Sequence, residues 1–309
     1  MHKQSTNTIM MVRPVRFDFN EQTAITNAFQ NVDAMGNSEE TQQKALAEFE
    51  SMVTLLKQNG VNVWVVDDTP TPHTPDSIFP NNWISFHQDG QVILYPMCAE
   101  NRRLERRTDI LEGLKKNFTV SAVTDLSYFE QENIFLEGTG SLILDRPNMI
   151  AYACYSPRTH ESVLEVFAQK TGYKVVGFTA RDASGMLIYH TNVMMCVGDK
   201  FAVICLESLQ DKAEQEMMLN QLRSTSKEVI DISFDQMNQF AGNMLQVYND
   251  KGDTLLVMSD RAYRSLTASQ IQRLEKYATL VHPVLTVIED NGGGSARCMM
   301  AEVFLPTIN

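Results

Sequence analysis

A closed ring of five α/β blades in one domain, 1–309, is the fold this sequence predicts. Three observations point to it. Two-strand hairpins recur at a spacing near 54 residues, each is followed by a helix-patterned segment and a short β-rich run, and the chain ends supply two further β-rich runs. The first hairpin joins 84–87 to 92–95 through Asp89-Gly90, a strong short-range turn signal between β-favouring residues. The second joins 142–144 to 150–152 around Pro147-Asn148, and the third joins 193–196 to 201–204 around Gly198-Asp199. The fourth joins 245–248 to 255–257 around 250–252. The markers Gly90, Pro147, Gly198 and Gly252 stand 57, 51 and 54 residues apart.

After the hairpins come segments 102–116, 159–171, 211–223 and 267–277, with apolar residues recurring every three or four positions, as a helix face requires. Each runs into a β-rich stretch: 118–120, 173–178, 228–232 and 279–282. A further helix–strand pair, 42–58 and 61–66, precedes the first hairpin. Five such pairs but four complete hairpins fit the chain. The fifth hairpin is expected from 298–305 pairing with 8–12, which closes the ring and removes exposed sheet edges. The result is a five-bladed α/β propeller of hairpin–helix–strand modules with pseudo-fivefold symmetry. An open α/β sandwich is the alternative.

Composition narrows the function. With 43% apolar and 21% charged residues, the 309-residue chain reads as an ordinary globular protein. A net charge of −12 argues against nucleic acid and anionic membranes as partners, since both demand basic patches. No run approaches the roughly 18 consecutive apolar residues of a membrane span, and residues 1–11 lack a signal-peptide core. Five cysteines without a C-x-x-C pair indicate a reduced, cytoplasmic setting. Cys98, Cys154, Cys196 and Cys205 lie in or beside apolar runs, where a thiol acts as a small hydrophobe. A homo-oligomer is compatible with the sequence, which does not decide the matter.

Radial repeats bring equivalent positions around one axis, so the residues at the hairpin mouths matter most. They are Asp76 and Asn82 before the first hairpin, Glu137 before the second, His190 with Asn192 before the third and Asn243 before the fourth. Cys298 opens the fifth, after Gly292-Gly293-Gly294. A thiol with an imidazole is a nucleophile with its proton carrier, and carboxylates accept from substrate N–H groups. Taken singly, Cys298 or His190 could be inert core, Asp76 a turn cap, Glu137 a surface acid and Asn243 a turn residue. Their shared register sets them apart. The histidines show no H-x-H or H-E-x-x-H spacing, so no metal is expected. Gly292–Gly294 and the Glu137-Gly138-Thr139-Gly140 loop lack the context of nucleotide-binding loops, so no cofactor is expected.

These residues resemble the guanidino-group-modifying superfamily of arginine deiminases, amidinotransferases and dimethylarginine dimethylaminohydrolases, the pentein fold. The matching pieces are Asp76-Ser77-Ile78-Phe79, Glu137-Gly138-Thr139-Gly140, Ser156-Pro157-Arg158-Thr159, His190-Thr191-Asn192 and Gly292 through Cys298. The wording Phe79-Pro80-Asn81-Asn82-Trp83 and Cys154-Tyr155-Ser156-Pro157-Arg158-Thr159 is similar to the citrulline-utilisation hydrolases. The resemblance implies Cys298 as nucleophile, His190 as general acid/base and Glu137 as the orienting carboxylate. It further implies that Asp76 binds the ureido or guanidino nitrogens and that Arg158 binds the α-carboxylate, for which a guanidinium fork is suited.

Two departures stand out. Asn192 occupies a position that is acidic in many deiminases and amidinotransferases, and Pro80-Asn81-Asn82 replaces a frequent Arg-Asp. Neutral amides at Asn82 and Asn192 suit a neutral ureido group better than a guanidinium. The expected activity is therefore hydrolysis of citrulline to ornithine, carbon dioxide and ammonia through an S-carbamoyl-cysteine. Arginine deiminase, dimethylarginine dimethylaminohydrolase and amidinotransferase chemistry are the enzymatic alternatives, and a non-catalytic amino-acid-binding protein is the last.

Overall fold

Short β-favouring runs alternating with turns produce five three-stranded sheets in the computed structural model, which describes residues 2–24, 27, 29–30 and 38–308. The first sheet holds Ile84–Phe86, Gln91–Leu94 and Ala122–Asp125, and the second Ile143–Asp145, Ile150–Cys154 and Lys174–Phe178. The third holds Met195–Val197, Phe201–Ile204 and Glu228–Asp231, and the fourth Leu245–Tyr248, Thr254–Val257 and Thr279–Val281. In all four the inner strand is antiparallel to the middle strand, which is parallel to the outer one. Gly90 at φ 85° and Gly252 at φ 86° turn two of the hairpins in the left-handed region that a Cβ disfavours.

The fifth sheet is assembled from both ends of the chain. Thr8–Arg13 is antiparallel to Ala301–Glu302, with Ile9 opposite Glu302, and parallel to Asn62–Asp67. Neighbouring blades are stitched at the axis: Gln4 Nε2 donates to Leu144 O at 2.9 Å and to Val197 O at 3.1 Å, and Tyr248 N donates to Thr6 O. Buried ion pairs of Lys227 with Asp145 and of Arg297 with Glu302 sit nearby. The fold is the five-bladed α/β propeller that the repeats predicted.

Parallel strands need a crossover, and helices supply it. Ser38–Gln58, Glu161–Thr171, Lys212–Ser224 and Ala268–Glu275 each turn an apolar face onto their own blade; Phe49, Met52, Val53 and Leu56 do so in the first of these. The segment expected as one helix over 102–116 is two, Glu100–Arg103 and Thr108–Asn117. Extended backbone at Arg107 (φ −83°, ψ 131°) separates them. The outer strand follows at Ala122–Asp125 rather than at 118–120, because Phe118 turns into the core and bridges Thr307 instead. No helix among the described residues is long and apolar enough to cross a membrane.

Candidate active site

A short helical turn enters three of the five inner strands at the same end of the ring, and each is preceded by a residue with non-helical backbone. Glu137 precedes Gly138–Ser141, His190 precedes Thr191–Met194 and Phe79 precedes Pro80–Asn82. Asn243 follows the helix Phe234–Asn238, and Cys298 follows Thr286–Gly292. These turns aim side chains at the axis. Asp76, Asn82, Arg158, His190 and Cys298 line one cavity of about 20 Å³, together with Thr23, Asn27, Tyr189 and Gly292, Gly293 and Gly294. A larger groove of about 830 Å³, where the chain ends meet, holds none of the reactive residues.

Glu137 is fully buried and organises the charges. Its Oε2 lies 2.7 Å from His190 Nε2 and 3.5 Å from Arg158 Nη1, while its Oε1 accepts from Cys98 N at 2.9 Å. Burial alone would raise this carboxyl, but the Arg158 charge and the hydrogen bond from His190 outweigh it and hold the group below the usual carboxylate range. Burial pushes the His190 imidazole down to about 4, with Arg158 and Arg102 adding to the effect and Glu137 opposing it. A carboxylate therefore faces a neutral imidazole that donates through Nε2, which leaves Nδ1 as the basic ring nitrogen. Gly140 makes room for that face: a Cβ there would stand 2.9 Å from His190 Nδ1 and 2.3 Å from Asn82 Nδ2.

Asn82 is oriented by Arg102. The guanidinium donates through Nη1 to Asn82 Oδ1 at 2.7 Å, through Nη2 to Phe79 O, and as a fork to Glu105. Turning the Asn82 amide over would set its NH₂ against a cation, so Nδ2 is fixed as an outward donor, and it has no partner. Asp76 accepts through Oδ2 from Asn20 Nδ2 at 2.7 Å and Thr23 Oγ1 at 3.2 Å, while its Oδ1 has no partner. Burial raises the Asp76 carboxyl against the pull of Arg102 and Asn20.

Asn192 and Asn243 each bring Nδ2 to 3.3 Å from the sulfur of Cys298. Both amides thus touch the sulfur itself, a contact that the sequence reading did not include. Arg158 donates to Thr23 O at 3.1 Å and stacks 4.8 Å from the Tyr189 ring centroid. Sequence reasoning missed Asn20, Thr23, Arg102, Glu105 and Tyr189. Asn20 and Thr23 lie on a connecting segment and Arg102 and Glu105 in a helix-patterned one, where the repeat carried no signal, while Tyr189 beside His190 reads as an apolar neighbour.

Residues 13–305 match the family described as N,N dimethylarginine dimethylhydrolase, eukaryotic. The chain belongs to this family. It is thus a member of the guanidino-modifying superfamily and a hydrolase of non-peptide carbon–nitrogen bonds. No curated protein matches the chain directly by sequence. Among solved structures, the N-terminal domain of ArgZ covalently bound to a reaction intermediate superposes at TM-score 0.74 with 18% identity, covering 97% of this chain and 98% of that one. The apo structure of ArgZ, an arginine dihydrolase of cyanobacteria, gives 0.76 at 17% identity, and the match covers 97% of this chain and 41% of that one. A dimethylarginine dimethylaminohydrolase bearing an S-methyl-L-thiocitrulline adduct gives 0.64 at 15% identity, with 98% and 100% coverage. At such identities the likeness is one of fold.

Proposed function

We propose that this enzyme hydrolyses the ureido group of citrulline to ornithine, carbon dioxide and ammonia. One observation carries the choice of substrate: the cavity pairs an unpartnered acceptor, Asp76 Oδ1, with an unpartnered donor, Asn82 Nδ2. A ureido group offers N–H to the first and C=O to the second. A guanidinium offers only donors, which would leave Asn82 Nδ2 facing another N–H, and a buried unmatched donor is costly.

The residues then divide the work. The thiol proton of Cys298 passes to His190 Nδ1, and Glu137 stabilises the resulting imidazolium through Nε2. The sulfur attacks the ureido carbon, and His190 returns the proton to the departing δ-nitrogen of ornithine. Water, deprotonated by His190, cleaves the S-carbamoyl intermediate, and the carbamate decomposes to carbon dioxide and ammonia. Arg158 receives the α-carboxylate at the cavity wall. The reaction takes place in one domain and uses no metal.

A guanidine, arginine or a methylated arginine, is the second reading, favoured by the family and by the ArgZ and dimethylarginine dimethylaminohydrolase likenesses; attack would then expel ammonia from the first or a methylamine from the second. Product analysis over citrulline, arginine, agmatine and methylated arginines decides between them, with trapped adducts identified by mass spectrometry. Ornithine from citrulline with an S-carbamoyl adduct on Cys298 supports the proposal. An inert citrulline beside a turned-over guanidine refutes it.

A further inference from the structure

Cysteine nucleophiles commonly gain their anionic character from an adjacent cation. Here, among the described residues, the hydrogen-bond donors to the Cys298 sulfur are two uncharged amides, Asn192 Nδ2 and Asn243 Nδ2, each at 3.3 Å. Both asparagines are buried, at 1% exposure. Asn243 is locked by its own bonds, because Oδ1 accepts from Arg297 N at 3.0 Å and Nδ2 also donates to Asn192 O at 3.1 Å. Turning it over would oppose N–H to N–H and carbonyl to carbonyl, so its donor is committed to the sulfur. The imidazole, meanwhile, gives Nε2 to Glu137 and is kept neutral by burial.

We infer that Asn192 and Asn243 are positioning residues that hold the Cys298 sulfur for attack and stabilise it as an anion through two neutral N–H dipoles. Hydrogen bonds to an ionised acceptor are about twice as strong as neutral ones, and a buried site strengthens them further. As the thiol proton moves to His190 the sulfur keeps the bonding pair, and both amide contacts tighten. That proton later leaves with the amine, so the charge balance closes without a permanent cation beside the sulfur. The proton path rests on the roles proposed for Cys298 and His190, but the amide contacts do not. Three blades meet at one atom.

The test needs no substrate. Iodoacetamide alkylation of Cys298 is followed by peptide mass spectrometry across pH in the full chain, beside Asn192→Leu and Asn243→Asp. Each substitution removes a donor at similar side-chain size. Loss of a hydrogen bond to the anion is expected to lower the alkylation rate at pH 7 about tenfold and to move the half-maximal point to higher pH. Circular-dichroism melts identify folded variants. A folded Asn192→Leu chain whose pH profile coincides with that of the unsubstituted chain overturns the inference, and it decides alone should Asn243→Asp fail to fold. If citrulline proves inert while the alkylation shift is seen, the substrate proposal falls and this one stands.

Discussion

Replacing Glu137 by glutamine should disable the site while sparing its shape. The carboxylate sits 2.7 Å from His190 Nε2 and 3.5 Å from Arg158 Nη1, and it accepts from Cys98 N through its other oxygen. An amide has one acceptor. If that oxygen keeps Cys98 N–H, the NH₂ faces Nε2, which must then accept rather than donate. The imidazole is forced into its Nδ1–H tautomer, and Nδ1 can no longer take the thiol proton. Tautomer inversion in the serine-protease triad costs about 10⁴-fold in kcat, so a fall of about 10³- to 10⁴-fold is expected here.

Stability should fall too, because Arg158 remains buried without its carboxylate. Breaking a buried pair costs about 3–5 kcal/mol, equivalent to a melting temperature lower by roughly 5–10 °C in a chain of this length. The pH dependence has a definite sign. The folded-state carboxyl is held below its unfolded value of about 4.3, so its contribution is full above that pH and is lost as pH falls. The gap between the unsubstituted and Glu137→Gln melting temperatures should therefore be widest near neutrality and close on the acid side. Amine release from whichever substrate the enzyme turns over, with melts from pH 3 to 7, measures both effects. More than a tenth of the original kcat, or a gap independent of pH, refutes the reasoning.

Three further outcomes are expected. Gly140→Ala places a Cβ 2.3 Å from Asn82 Nδ2 and 2.9 Å from His190 Nδ1, so kcat should drop about 100-fold for a stability loss of about 1–3 kcal/mol; kinetics beside melts will show whether activity suffers first. Asn82→Asp keeps the acceptor for Arg102 but turns the free donor into an acceptor, so the kcat/KM ratio of arginine to citrulline should rise at least tenfold; an unchanged ratio contradicts the reading of the cavity. His87 is buried with Nε2 3.0 Å from Ser85 Oγ, and burial pushes its imidazole down to about 3. The unfolded chain binds that proton below about pH 6.5, so stability should decline as pH falls from there toward 3, and His87→Gln should flatten the decline in pH-resolved melts.

How much of this could be read beforehand depends on what encodes each part. The blades were legible because a hairpin leaves a local record: alternating β-favouring residues on either side of Asp89-Gly90 or Gly198-Asp199. Closure was legible as well, since the unpaired run 8–12 needed a partner and Ala301–Glu302 provides it. The positions of Glu137, His190 and Cys298 followed from blade register. Arg102 did not, because an arginine in a helix-patterned segment looks like a solvated charge until Glu105, Asn82 and the Phe79 carbonyl surround it. The covering residues Asn20 and Thr23 belong to a polar stretch with no periodicity, and their value lies in reaching Asp76, 56 and 53 residues away. The split of 102–116 into two helices has the same origin: Arg102 is drawn into the site while Arg107 faces outward toward Asp109.

The geometry also explains why neutral side chains can serve where charge is expected. The site already contains two buried cations, Arg102 and Arg158, and three buried acids, Asp76, Glu105 and Glu137. Each is committed to a protein partner: Arg102 to Glu105 and Asn82, Glu137 to His190 and Arg158, and Asp76 to Asn20 and Thr23. Another carboxylate at Asn82 or Asn192 would be desolvated beside these acids, at a penalty that only a cationic ligand could offset. Amides avoid that penalty, stay neutral at every pH and present a donor whose direction the neighbouring backbone or Arg102 sets. On the proposed reading, the same choice would make the site poor at holding a guanidinium and good at holding a thiolate or a ureido oxygen. Substrate preference and nucleophile activation would therefore have one cause, the replacement of acids by amides at the inner ends of the first and third blades.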